Sequence, residues 1–252
     1  SNEPLQCMSS LLDAISESIQ RSPKQWAFRC HDHELTWSEL DQAADLVAKD
    51  LKRQGLKPGD RVACGLGAEL ELPVHLLAHL RAQLIHVPVN TRYRSQEIDH
   101  LFELTKPAAC VGLERKAQPG DAHDIPKDAA LILATSGTTG LPKGVLHTHQ
   151  SLYSGIGSLT ELWGWGPNDQ QVLALPLFHV HGLGIGLLGA LIRGVPTQLL
   201  TRFRVEDVCQ AMAAGGTLFM GVPTMYAALV DHFKNSNRPS FWLPIDATTI
   251  SF

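Results

Sequence analysis

No long apolar run, no basic stretch and no ordered set of cysteines occurs in this 252-residue chain, and each absence removes a class of function. The most apolar windows, such as Gly182 to Ile192, are too short and too rich in glycine to span a bilayer. A formal charge of -4 and a pI near 6.3 offer no nucleic-acid surface. The five cysteines (Cys7, Cys30, Cys64, Cys110, Cys209) are odd in number and widely spaced, so they read as free thiols packed as small hydrophobes and not as a disulfide or metal framework. That usage points to a reducing compartment, the cytoplasm. No charged-then-apolar signal segment opens the chain; Ser1-Asn2 reads as a cloning remnant and residues 1–8 as a tag or disordered leader. At 44% hydrophobic, the chain is globular and can bury a sizeable core.

Hydrophobic periodicity supplies the element order. Leu11, Leu12, Ile15 and Ile19 have helical spacing, ended by Ser22-Pro23. Short strands at Ala27 to Cys30 and Glu34 to Trp37 flank the polar turn His31-Asp32-His33. Thr36-Trp37-Ser38-Glu39 has the form of a capping box, and Leu40, Ala43, Ala44, Val47 and Leu51 carry an amphipathic helix onward to Gly55. Buried strand Arg61 to Leu66, helix Glu71 to Arg81, strand Leu84 to Val89, helix Ser95 to Leu104 and strand Ala108 to Gly112 then alternate. Such alternation predicts an α/β fold of layered sheets with helices on both faces.

Residues Thr135 to Val145 read T-S-G-T-T-G-L-P-K-G-V, directly after the apolar run Ala129 to Ala134. The candidate phosphate-binding residues are Thr135, Ser136, Gly137, Thr138, Thr139, Gly140 and Lys143. Glycines let backbone N–H groups turn toward an anion, hydroxyls add neutral donors, and the lysine adds a compact positive charge. Pro142 is expected to stiffen the loop's exit. The order does not fit the G-x-x-x-x-G-K-[ST] loop of P-loop NTPases, because Lys143 stands between Pro142 and Gly144. It resembles instead, residue for residue from Ser136 to Gly144, the signature loop of the adenylate-forming superfamily: acyl-CoA synthetases, firefly-luciferase-like enzymes and peptide-synthetase adenylation domains. Thr36 to Leu40, Gly59 to Ala63 and Val87 to Asn90 resemble further family segments, with Ala82-Gln83 departing from the usual Gly-Ala. The resemblance covers about residues 9 to 235.

A second constellation, Leu173 to Gly182, reads L-A-L-P-L-F-H-V-H-G, a buried strand ending in an aromatic and two imidazoles. The resemblance implies that Phe178, His179, His181 and Gly182 lie beside the acyl carboxylate and the nucleotide, with His179 and Lys143 assisting the chemistry. The H-V-H-G run and Met220 to Tyr226 are similar to malonyl-CoA and methylmalonyl-CoA synthetases. His147 and His149, in a segment expected to begin a helix, are two apart and so not on one helical face, which argues against a metal pair. Gly184 to Gly189 satisfies G-x-G-x-x-G literally, with Glu206 beyond it. That leaves a dinucleotide-binding oxidoreductase as an alternative, although glycines among leucines more simply permit close helix packing.

By resemblance, the expected activity is an ATP-dependent acyl-CoA synthetase acting on a short dicarboxylate such as malonate, using ATP, Mg2+ and coenzyme A. Small molecules are the expected partners, with no nucleic acid and no membrane span. Family members run to about twice this length; residues 236–252 read as an atypical tail, and the Y-G-x-T-E segment and the C-terminal lid are not found. The chain is therefore read as an N-terminal part, catalytically incomplete. Two other readings remain: an adenylation domain serving a carrier protein, and a truncated fold without activity.

Overall fold

A computed structural model describes residues 3–120, 125–136 and 142–235. Its elements in order are α1 (Glu3–Arg21), β1 (Trp26–Cys30), β2 (His33–Thr36), α2 (Trp37–Arg53), β3 (Arg61–Cys64), α3 (Glu71–Arg81), β4 (Ile85–Pro88), α4 (Ser95–Thr105), β5 (Ala109–Val111), β6 (Ala129–Ser136), β7 (Pro142–Thr148), α5 (His149–Leu162), β8 (Gln171–Leu173), a π-helix (Val180–Leu188), α6 (Gly189–Arg193), β9 (Thr197–Leu199), α7 (Val205–Ala213), β10 (Leu218–Phe219) and α8 (Pro223–Asn235). Helix α1 starts at Glu3, so most of the segment expected to be a tag or disordered is helical. The tail 236–252 lies outside the described residues.

Local chemistry sets several boundaries. Thr36 caps α2: its Oγ1 accepts from the Glu39 N–H at 3.2 Å, and the Glu39 carboxylate accepts from the Thr36 N–H at 2.8 Å. The reciprocal pair satisfies two N–H groups that have no partner inside the helix. The Thr36 backbone and hydroxyl donors hold the Glu39 carboxyl below the usual carboxylate range. Pro223 occupies the first position of α8, where its missing N–H costs no helical bond.

Among the described residues the strands form two five-stranded sheets. One runs β10-β8-β9-β1-β2, parallel except for the β1–β2 hairpin. The other runs β5-β3-β4-β6-β7, parallel except for β6–β7. Side chains alternate across the second sheet with the period of two that strands require. Val62, Cys64, Leu131 and Leu133 enter the large core shared with α1, α2, α3 and strands of the first sheet. Ala63, Ile85, Val87, Ile132 and Ala134 face the other way, onto Leu101 and Phe102 of α4. In the first sheet, Leu173 joins the large core while Ala174 meets Val208 of α7 and Leu229 of α8. Helices thus cover both faces, as the alternating pattern predicts.

Two buried polar features hold this frame. The Arg61 guanidinium, 5% exposed, donates to the carbonyls of Thr105 (2.6 Å), Lys106 (2.7 Å), Gly120 (2.6 Å) and Gly59 (3.2 Å). It closes the carbonyl end of α4, where a cation is favoured by the helix dipole. Under β4, His79 and His86 are wholly buried with Nδ1 atoms 2.9 Å apart. One ring must donate and the other accept, and neither Nε2 has a partner among the described residues.

Three expectations from sequence are corrected. The strand expected through Phe178 stops at Leu173. The segment from His147 does not begin a helix: His147 belongs to β7, and α5 starts at His149 behind the cap Thr148. Gly184 to Gly189 does not form a strand-to-helix phosphate turn. It lies in the π-helix and the first residue of α6, where a Cβ on Gly186 would stand 2.7 Å from Leu173 and one on Gly189 3.0 Å from Thr160. These glycines serve close packing, and the dinucleotide-binding alternative loses its motif.

Candidate active site

The phosphate-gripping segment is a β-hairpin. β6 and β7 pair antiparallel, with Thr135 opposite Lys143 and Ser136 opposite Pro142 as the last ladder positions. Thr135, Ser136 and Lys143 therefore sit on strands and not in the loop expected from composition; Gly137, Thr138, Thr139 and Gly140 lie outside the described residues. The reason that β7 tolerates Pro142 and Gly144 is its place at the sheet edge, where a missing ladder donor is harmless. The Thr135 hydroxyl donates to the Lys143 carbonyl at 3.3 Å, tying the two strands. Thr135 and Lys143 are both exposed, and Lys143 forms no ion pair among the described residues. A cation with no described ion pair is thus presented on β7, opposite the C-terminal end of β6, a strand parallel to β4.

The second group follows the C-terminal end of β8, which is parallel to β9 and β10. The chain turns through Pro176 to Phe178, and the exposed His179 stands at the N-terminal cap of the π-helix. Its carbonyl accepts from the Leu183 N–H at 2.9 Å, leaving the ring free of capping duty. The Phe178 and His179 rings lie with centroids 4.5 Å apart at 59°. Burial pushes the His181 imidazole below its usual range, so it is neutral at pH 7. Gly182 is dictated by sterics: a Cβ there would stand 2.3 Å from the Pro176 carbonyl oxygen. This close approach folds the π-helix back against the turn and fixes where His179 and His181 emerge.

At the neighbouring β10–α8 junction, the Tyr226 hydroxyl accepts from the Gly221 N–H at 3.1 Å and donates to the Phe219 carbonyl at 3.2 Å. The structure brings Thr135 to Lys143, and Phe178 to His179. No hydrogen bond, ion pair or ring contact joins the hairpin to the His179 group among the described residues. No group of three or more His, Cys, Asp or Glu side chains that could hold a metal ion stands among the described residues. What sequence reasoning missed is the close approach at Gly182; a glycine four residues before another, Gly186, in an apolar segment was its only signal.

The model of the family described as AMP-binding enzyme matches residues 15–125 and 112–243. Among curated relatives, a 2-succinylbenzoate–CoA ligase of Bacillus licheniformis is 32% identical over 255 residues, covering 89% of this chain and 52% of the ligase. A mitochondrial malonate–CoA ligase of Xenopus laevis is 37% identical over 168 residues, covering 64% of this chain and 28% of the ligase. Among solved structures, ATP-bound MatB from Rhodopseudomonas palustris superposes with a TM-score of 0.76 at 28% identity, over 88% of this chain and 51% of that one. The chain spans about half the length of the 2-succinylbenzoate–CoA ligase and of MatB. No described helix is long and apolar enough to cross a membrane. The family model spans most of the chain, and this chain belongs to the AMP-binding enzyme family.

Proposed function

We propose that the protein to which this chain contributes is an ATP-dependent acyl-CoA synthetase. A carboxylate attacks the α-phosphorus of ATP, pyrophosphate leaves with the displaced charge, and the acyl-adenylate passes to the thiol of coenzyme A. Negative charge gathers on the departing pyrophosphate, so donors and a cation fixed in advance lower the barrier without moving. Thr135, Ser136, Gly137, Thr138, Thr139 and Gly140 supply the donors and Lys143 the charge. Phe178, His179, His181 and Gly182 shape the carboxylate end. Mg2+ would bridge the phosphate oxygens of the nucleotide and neutralise part of their charge. The observation that carries the reading is the exposed, unpaired Lys143 held across the hairpin from Thr135.

Titration calorimetry with ATP and with pyrophosphate tests the grip. Lys143→Ala should weaken binding about tenfold or more with an unchanged thermal melt, because the side chain is exposed. Equal affinity in a chain that binds ATP would remove Lys143 from the site.

For the acid, malonate is the favoured substrate within this reading, on the H-V-H-G run and Met220 to Tyr226. The relatives named above act on different acids by name, so the pocket chemistry must decide. A second carboxylate needs donors or a cation in a buried pocket; neither segment contains arginine, and the neutral His181 is the available donor. With the complete protein, kcat/KM for malonate should exceed that for acetate and for hexanoate. A preference for hexanoate would reject the dicarboxylate and leave the adenylation chemistry intact.

A further inference from the structure

A cleft of about 410 Å3 opens between α1, α5 and the end of α6, and none of its lining residues belongs to the hairpin or to residues 176–182. Most of its lining is polar; Trp165 and Ile192, 7% and 6% exposed, contribute apolar surface. Gly157 of α5 also lines it, and a Cβ at that position would meet no atom within 4 Å. The missing side chain leaves room in the cleft and serves no packing contact.

The rim carries charge of both signs. Arg193 is locked beneath α5, its Nε donating to Thr160 Oγ1 at 2.9 Å and its Nη2 to the Gly157 carbonyl and to Glu161 at 3.3 Å; its Nη1 has no partner among the described residues. Arg21, in the last turn of α1, donates from Nη1 to the Arg193 carbonyl at 3.2 Å, leaving Nε and Nη2 without described partners. Glu17 stands one helical turn before Arg21, the favourable order for an ion pair. Yet no such pair forms among the described residues, because Arg21 is drawn away to the end of α6. Arg21, Arg193 and the carboxylates of Glu17 and Glu161 thus line the same cleft, Glu161 already paired with Arg193 and Glu17 in no described ion pair.

A ligand with charge of one sign would gain at one rim and lose at the other. A ligand carrying both gains at each. We propose that this cleft is a binding site for a zwitterionic α-amino acid with an apolar side chain. The carboxylate lies against Arg21 and Arg193, the ammonium faces Glu17, and the side chain rests on Trp165. The volume falls in the range of about 300–1,000 Å3 usual for small-ligand sites. The site is separate from the adenylation residues, and its occupancy does not depend on the function proposed above.

Calorimetry on this chain with L-phenylalanine, phenethylamine and 3-phenylpropanoate provides the test, since the three share one apolar group and differ only in charge. L-phenylalanine should bind saturably, and each single-charge analogue about tenfold or more weakly. Glu17→Gln, which breaks no described bond, should weaken L-phenylalanine without changing the affinity for 3-phenylpropanoate. Gly157→Leu should block the cleft and abolish binding, with thermal melts verifying that both variants are folded. Absence of saturable binding, 3-phenylpropanoate binding as tightly as L-phenylalanine, or unchanged affinity in folded Gly157→Leu would each overturn the assignment.

Discussion

Lowering the pH from 7 to 5 should remove about 4 kcal/mol of folding stability through His79 and His86 alone. Both rings are wholly buried, and their facing Nδ1 atoms, 2.9 Å apart, hold one proton between them. A second proton on that axis breaks the hydrogen bond, and one on an Nε2 creates a buried cation without a partner among the described residues. Burial, with His75 adding repulsion, pushes the His86 imidazole down to about 3. Burial, His86 and His75 together hold His79 well below its ordinary value. In the unfolded chain both titrate near 6.5. Above that pH both states are neutral and the full stability is present. As pH falls below it, the unfolded chain takes up protons that the folded one refuses, and each histidine costs about 1.4 kcal/mol per pH unit. The window lies above most carboxylate titrations, so the histidines dominate it. Glu71 opposes the trend only at His75, where burial still prevails. Urea unfolding followed by tryptophan fluorescence at pH 7, 6 and 5 measures the slope, and a His79→Leu, His86→Leu double variant should flatten it by about two protons. A loss under about 1 kcal/mol across the window, or the same slope in the double variant, would refute the reasoning.

Arg61→Ala should cost about 3–5 kcal/mol, because it strands several buried carbonyls and opens the end of α4. Arg61→Lys should recover only part of this, since one ammonium cannot span the four acceptors; urea midpoints for the two variants decide, and a shift equivalent to less than about 1 kcal/mol for Arg61→Ala would show that water replaces the guanidinium. Gly182→Ala should destabilise the chain by about 2 kcal/mol or more, as the obstacle at 2.3 Å is backbone and cannot rotate away. An unchanged thermal melt for that variant would mean that the π-helix shifts at little cost.

Where local chemistry was decisive, the sequence alone determined the outcome. The Thr36–Glu39 capping box placed the start of α2 because its bonds span only three residues. The runs Arg61 to Leu66 and Leu84 to Val89 read as buried strands because parallel strands covered on both faces have no polar side to show. The family membership was legible in Ser136 to Gly144, a segment whose order of glycines, hydroxyls and lysine suits one kind of anion grip. Tertiary structure decided what distant partners impose. Pro142 to Thr148 contains a proline and a glycine, which local propensity assigns to a loop; only pairing with β6 at a sheet edge makes it a strand. The strand after Gln171 ended early because Gly182 and Gly186 let a helix close onto Pro176 and Leu173. His79, in contact with His75 on α3, takes its meaning from His86, which β4 carries against it. Each of these features depends on side chains or backbone from another element, and no local pattern encodes which element that will be.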